Sequence, residues 1–212
     1  MKKFFEGAFL FHQADNYIGG AAGYTFAPID GGTAYAVTGF SLQESDIVIP
    51  ATYNGLPVTA IGSFYNCDSI VTVEIPKSVT YISTSAFTGC DFLESIVIPE
   101  SVTNVGVDAF SYCSSLKKAE IYGNTSVGTF SNCRALETVI VGGKSSIISI
   151  DMFYSCTRLT SVEIGDSVQF ISASAFKYCY SLESIKIGSN IAAIGDEAFM
   201  ECRKLAAVYY EG

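Results

Sequence analysis

Seven cysteines are the residues best able to do chemistry in this chain of 212. They stand at Cys67, Cys90, Cys113, Cys133, Cys156, Cys179 and Cys202, at intervals of 23, 23, 20, 23, 23 and 23 residues. Disulfides would suit an exported protein, but the count is odd and the spacing is that of a repeat. Cysteines repeated in register stack at about 4.8 Å with parallel Cβ vectors, wider than the roughly 3.8 Å between Cβ atoms of a disulfide. A ladder of buried thiols, packed as small apolar groups, fits the spacing better. Metal ligation has little support, since no Cys-x-x-Cys occurs and the chain holds one histidine, His12. His12 is also the one conventional base near neutral pH, and no nucleophile stands beside it in sequence. Gly143-Lys144-Ser145 mimics the end of a phosphate-binding loop, but Thr138 occupies the place of the required first glycine. "GGAAG" at 19–23 lacks the Gly-x-Gly-x-x-Gly spacing. Asn124-Thr125-Ser126 is a glycosylation sequon that has meaning only in a eukaryotic secretory host. No catalytic, cofactor-binding or metal-binding residue is assigned, and the expectation is a protein that is not an enzyme.

The elements that place these cysteines are repeated with them. Three residues before each is a phenylalanine: Phe64, Phe87, Phe110, Phe130, Phe153, Phe176 and Phe199. Three residues after comes Ile70 or a leucine, from Leu93 to Leu205. Six and eight residues after come apolar pairs such as Ile96 and Ile98 or Val162 and Ile164, a period of two that predicts a short strand with one buried face. Pro76 and Pro99 end two of these strands, and later apolar positions such as Val102 and Val105 carry the chain to the next phenylalanine. A unit of this size cannot cover its own apolar stripe, so the coils must stack into a solenoid. Seven or eight coils at about 4.8 Å give roughly 35 to 40 Å. The array is expected to be least regular around residues 122–150. "IGSF", "VGTF" and "IDMF" are read as two residues shorter than "ISTSAF"; the Cys113–Cys133 coil is shortened again after Ile121, and in the next coil "VGGKSSIISI" makes up the loss. Such irregularity is either drift in an exposed turn or a feature that binds something.

In these residues the chain resembles the BspA-like branch of the leucine-rich repeats, whose units run Ile-x-x-x-Ala-Phe-x-x-Cys-x-x-Leu-x-x-Val-x-Ile-Pro. The resemblance covers residues 33–212, and "YAVTGF…IVIPATYNGLPVTAIG" at 35–62 is similar to the way such arrays begin. It implies an α/β-type, mostly β fold: a right-handed solenoid with short parallel strands and mostly non-helical or short-helical returns. It also implies a cell-surface or secreted protein that adheres to host matrix proteins or other cells.

What the repeat leaves free is its surface. Residues five and seven past each cysteine point outward, and the second set forms a row of Glu74, Val97, Glu120, Ile140, Glu163, Lys186 and Tyr209, flanked by Tyr122 and by Glu94, Glu137 and Glu183. An acidic row interrupted by Val97, Ile140 and Tyr209 is either a protein-binding strip or a product of strand propensity alone. Two functions stay open. One is recognition or adhesion through the strand face, with a host matrix protein, a cell-surface protein or a neighbouring subunit as partner. The other is a structural spacer or display scaffold in a larger surface protein or virion. A formal charge of −9 without a basic stripe argues against nucleic acid. No apolar run approaches the roughly 20 residues of a membrane span. Residues 1–32 fall outside the repeat. "FFEGAFLFH" could pair with "AGYTFAPI" as a hairpin, and the segment is expected to cap the first coil or meet another subunit. Met1-Lys2-Lys3 opens like a signal peptide, but Glu6 and His12 interrupt its apolar region, so no convincing signal is read. The seventh unit stops just after its strand, at "VYYEG", which is read as a truncated repeat or an edge paired with a partner.

Overall fold

The computed structural model describes residues 18–19, 23–41, 43–64 and 67–210. From residue 46 onward each coil adds one strand to an eight-stranded parallel sheet: Asp46–Val48, Thr72–Glu74, Ser95–Ile98, Lys118–Ile121, Thr138–Val141, Ser161–Ile164, Ser184–Ile187 and Ala207–Tyr210. The register follows the repeat. Ala119 lies between Ile96 and Val139, and Val162 between Val139 and Ile185, so the inward positions form continuous buried rows. No α-helix occurs among the described residues. The returns are successive tight turns, closed by bonds such as Cys90 N–H to the Phe87 carbonyl (3.2 Å) and Leu93 N–H to the Cys90 carbonyl (3.2 Å). The product is a β-solenoid of about eight turns.

The repeated phenylalanines occupy its centre. Phe64 through Phe176 are buried, and from Phe64 to Phe199 each ring stacks on the next at 5.0 to 5.7 Å between centroids. The cysteines beside them are not mere filler. The Cys113 thiol donates to the Phe87 carbonyl of the preceding coil (3.2 Å), Cys133 to Phe110 (3.0 Å), and the same bond recurs at Cys90, Cys156, Cys179 and Cys202. At Cys90, Cys113, Cys156, Cys179 and Cys202 the thiol gives a second donor to a carbonyl that the turn's own cysteine N–H already engages. An apolar side chain at this place would leave that second lone pair empty.

Two corners per coil need left-handed backbone. The position two before the phenylalanine has φ of +53° to +63° at Ser85, Asp108, Gly128, Asp151, Ser174 and Glu197, and the position before the cysteine repeats this from Tyr112 to Glu201. Most of these residues are not glycine, so the stacked hydrogen bonds of the turns must hold a conformation that costs an L-residue about 1 kcal/mol. At Gly106 closeness decides instead: a Cβ there would sit 2.3 Å from the Thr84 backbone nitrogen.

The irregular region is smaller than the sequence reading placed it. Ile148, not Ile150, takes the buried place five residues before Phe153; it pairs with Ile171, while Ile150 points out and is 46% exposed. "IDMF" is therefore the end of a full-length bend, and so is "VGTF", where Val127 is likewise exposed. Apolar identity misled the alignment, because the place three before the phenylalanine faces solvent in the regular coil too, at Val107. Only "IGSF" is truly shorter, with Ile61 buried three residues before Phe64. The three residues missing from the Cys113–Cys133 interval are lost between Ile121 and Thr125. There the return-side sheet breaks, into Leu56–Ile61, Tyr81–Ile82 and Asn104–Val105 on one side and Ile147–Ile148, Phe170–Ile171 and Ala193–Ile194 on the other.

At the first coil, strand Tyr24–Ile29 pairs antiparallel with Ala34–Phe40, which continues parallel into Leu56–Ile61. This hairpin spans the 32/33 boundary, and its Tyr24, Phe26 and Tyr35 join the solenoid core. Residues 4–12, expected opposite "AGYTFAPI", lie outside the described residues.

Candidate functional site

Two rows of side chains leave the outer face of the eight-stranded sheet. The first runs Asp46, Thr72, Ser95, Lys118, Thr138, Ser161, Ser184 and Ala207. The second contains every residue expected from the sequence: Val97, Glu120, Ile140, Glu163, Lys186 and Tyr209 are successive register partners. Glu74 heads them, paired with Val48 on its other side. Tyr122 lies just past the strand end and donates its hydroxyl to Glu120 (2.8 Å). Val48 is an addition the sequence reading missed, because the first strand has no Phe-x-x-Cys before it to set the count. With Val48 57%, Val97 47% and Tyr209 61% exposed, the row is apolar at both ends. Parallel sheets ordinarily have both faces covered; here the outer face carries exposed Val48, Val97 and Tyr209.

The row is less acidic than its composition suggests, because the repeat supplies cations to most of its carboxylates. Glu120 is held by Lys118 (2.6 Å) and by Tyr122; these hydrogen bonds keep its carboxyl below the usual range, and the same bond raises the Tyr122 phenol. Glu163 meets Lys186 at 3.2 Å, and of the flanking residues Glu94 meets Lys117 at 2.9 Å and Glu183 meets Lys204 at 3.9 Å. Three of these pairs join adjacent coils, at separations of 23, 23 and 21 residues. Such exposed pairs set charge pattern more than stability.

Two recesses break the surface. Pairing between the second and third strands ends at Val73 and Ile96. A groove of about 280 Å³ opens beyond, lined by Thr72, Val73, Glu74, Ile75, Val97 and Pro99. A notch of about 240 Å³ lies at the left-handed corners of the next three coils, where Gly128 separates Asp108 from Asp151. Burial, then the Asp151 carboxylate, pushes the Asp108 carboxyl up. Two carboxylates are fewer than a divalent ion needs, and no group of three His, Cys, Asp or Glu suited to a metal occurs among the described residues. Beside the notch Tyr154 and Tyr178 meet edge to face at 5.3 Å, with Lys177 over Tyr178 and Arg203 over Tyr180, a turn-face strip that the Phe-x-x-Cys count does not reveal.

The thiols are poor nucleophiles where they are buried. Burial pushes Cys156 and Cys179 well up, and a hydrogen bond with Cys133 together with burial does the same at Cys113. At the ends of the ladder Cys67 and Cys202 are half-buried and lowered by hydrogen bonds with Cys90 and Cys179. His12 lies outside the described residues.

A short-coil solenoid with an open parallel-strand face is the architecture of a leucine-rich repeat protein. The profile of the BspA type leucine rich repeat region matches six copies over residues 41–130 and 125–211, and the chain belongs to that family. Among solved structures it is similar to the leucine rich repeat protein of T. pallidum, with 26% identity, a TM-score of 0.75, and coverage of 86% of this chain and 88% of that one. It is similar also to a leucine rich cell surface protein of Faecalibacterium prausnitzii, with 27% identity and a TM-score of 0.72. That likeness covers 93% of this chain, which spans 55% of the other's length. No curated protein sequence matches the chain. No helix among the described residues is long and apolar enough to cross a membrane.

Proposed function

We propose that the chain is a non-enzymatic recognition or adhesion module of the cell surface or secreted space, and that it binds another protein through its strand face. The row Val48, Glu74, Val97, Glu120, Ile140, Glu163, Lys186 and Tyr209 carries this reading, because it leaves a parallel sheet open with valines and a tyrosine exposed. The surface location of the F. prausnitzii protein supports the compartment. The partner is a matrix or cell-surface protein, and residues 1–32 serve to cap the first coil. A pull-down from matrix and cell-surface proteins tests the first assignment. A variant carrying E120K, E163K and Y209A is expected to lose the captured protein, and a return-face variant, V107S with F170S, to keep it. No capture by the native protein would leave the solenoid a spacer, and loss in the return-face variant alone would put the contact off the strand face. A truncation lacking residues 1–32 that keeps the melting temperature and monomeric state would remove the capping role.

A further inference from the structure

We propose that the groove between Thr72–Glu74 and Ser95–Ile98 receives a lysine or arginine side chain of the protein partner. The inference rests on the strand-face reading and names the chemistry of its occupant. Three observations lead to it. The groove walls are aliphatic, from Val73, Ile75, Val97 and Pro99, with Glu74 in the same lining. A long cationic side chain matches this, since its methylene stem packs on apolar surface while its head keeps a charged partner.

The second observation is the pattern of pairing along the row. Glu120 has Lys118 and Glu163 has Lys186, each supplied by this chain. Glu74 pairs with Val48 and shares the groove lining with Val97, and among the described residues it has no ion pair. The sheet provides a cation at each carboxylate of the row except the one beside the groove.

The third is the distribution of charge along the axis. Residues 23–100 contain eight Asp and Glu against Lys77 alone, a net of −7 out of the chain's −9. Lys and Arg concentrate instead in the later coils. The end of the solenoid that holds the groove therefore attracts positive charge as a whole, and at low salt this field steers a basic segment toward it.

The test is an amide NMR titration of the full chain with the peptide acetyl-Gly-Arg-Gly-Arg-Gly-amide and with its counterpart carrying citrulline for arginine. The arginine peptide is expected to move the amides of Thr72, Glu74 and Val97, to bind about threefold more weakly to E74Q, and to weaken further at about 300 mM salt. The citrulline peptide is expected to move none of them. Equal shifts with both peptides, shifts confined to other coils, or E74Q binding unchanged would overturn the proposal. Shifts of the same amides on raising protein concentration without peptide would overturn it too, in favour of a second copy. V97R and E74Q, both at exposed places, are then tried in the pull-down. Capture that survives both but is lost in the E120K, E163K, Y209A variant would keep the strand-face reading and discard the groove. Loss of capture in the return-face variant alone would discard the reading itself.

Discussion

Replacing Phe130 by alanine, and separately Phe199, asks whether the coils depend on one another as a stacked array must. Phe130 is fully buried between Phe110 at 5.4 Å and Phe153 at 5.7 Å. Truncating a buried phenylalanine costs about 3–5 kcal/mol, and two lost ring contacts at about 0.5–1.5 kcal/mol each place Phe130→Ala near 5 kcal/mol. Phe199 is only partly buried and keeps one stacked neighbour, Phe176 at 5.3 Å, so its truncation should cost about 2 kcal/mol. Urea unfolding followed by far-UV circular dichroism and tyrosine fluorescence gives both values. Because each coil is stabilised by its neighbours, the central variant should also broaden or split the transition, as the halves before and after Phe130 lose their coupling. The terminal variant should shift the midpoint and keep one transition. Equal losses for the two variants, with one sharp transition in each, would refute the view that this core is a ladder with weaker ends.

Three other outcomes follow from the same geometry. Ser145 is fully buried with no partner for its hydroxyl among the described residues, at the turn position held by Val79, Val102 and Val168; Ser145→Val should raise stability by about 1–2 kcal/mol, measured by the urea midpoint. Asp108 is raised by burial and by Asp151, so its folded state favours the protonated form, and the associated stability is lost as pH rises through its folded pKa. Asp108→Asn should therefore raise the melting temperature at pH 7, and the gain should vanish toward its ordinary value of 3.8. Native thiol titration with an aromatic disulfide should modify Cys67 and Cys202, the half-buried ends of the ladder, well before the five buried cysteines.

The period was enough to place the phenylalanine stack, the inward and outward strand positions and the row from Glu74 to Tyr209, since each depends on a residue's offset from its cysteine. The ion pairs were within reach as well: Glu163 and Lys186 are one repeat apart, and an offset of one repeat means adjacency in a solenoid. Other features left no mark in residue type. Ser85, Asp108, Asp151 and Glu197 share a left-handed corner although their side chains differ, because stacked backbone bonds impose the conformation. Ile148 and Ile150 are the same residue type two places apart, and only pairing with Ile171 shows which one is buried. The groove beside Glu74 arises where strand pairing stops early, a matter of backbone path that composition does not record.

On the proposed function, a partner sits on the open strand face. Hydrogen–deuterium exchange of the chain with and without the protein it captures tests this most directly. Protection is expected along the strand face, in 46–48, 72–74, 95–98, 118–121, 138–141, 161–164, 184–187 and 207–210 and at the flanking Tyr122, with the return-side segments 104–105, 147–148 and 170–171 unchanged. Protection of the return segments with an unchanged strand face would contradict it.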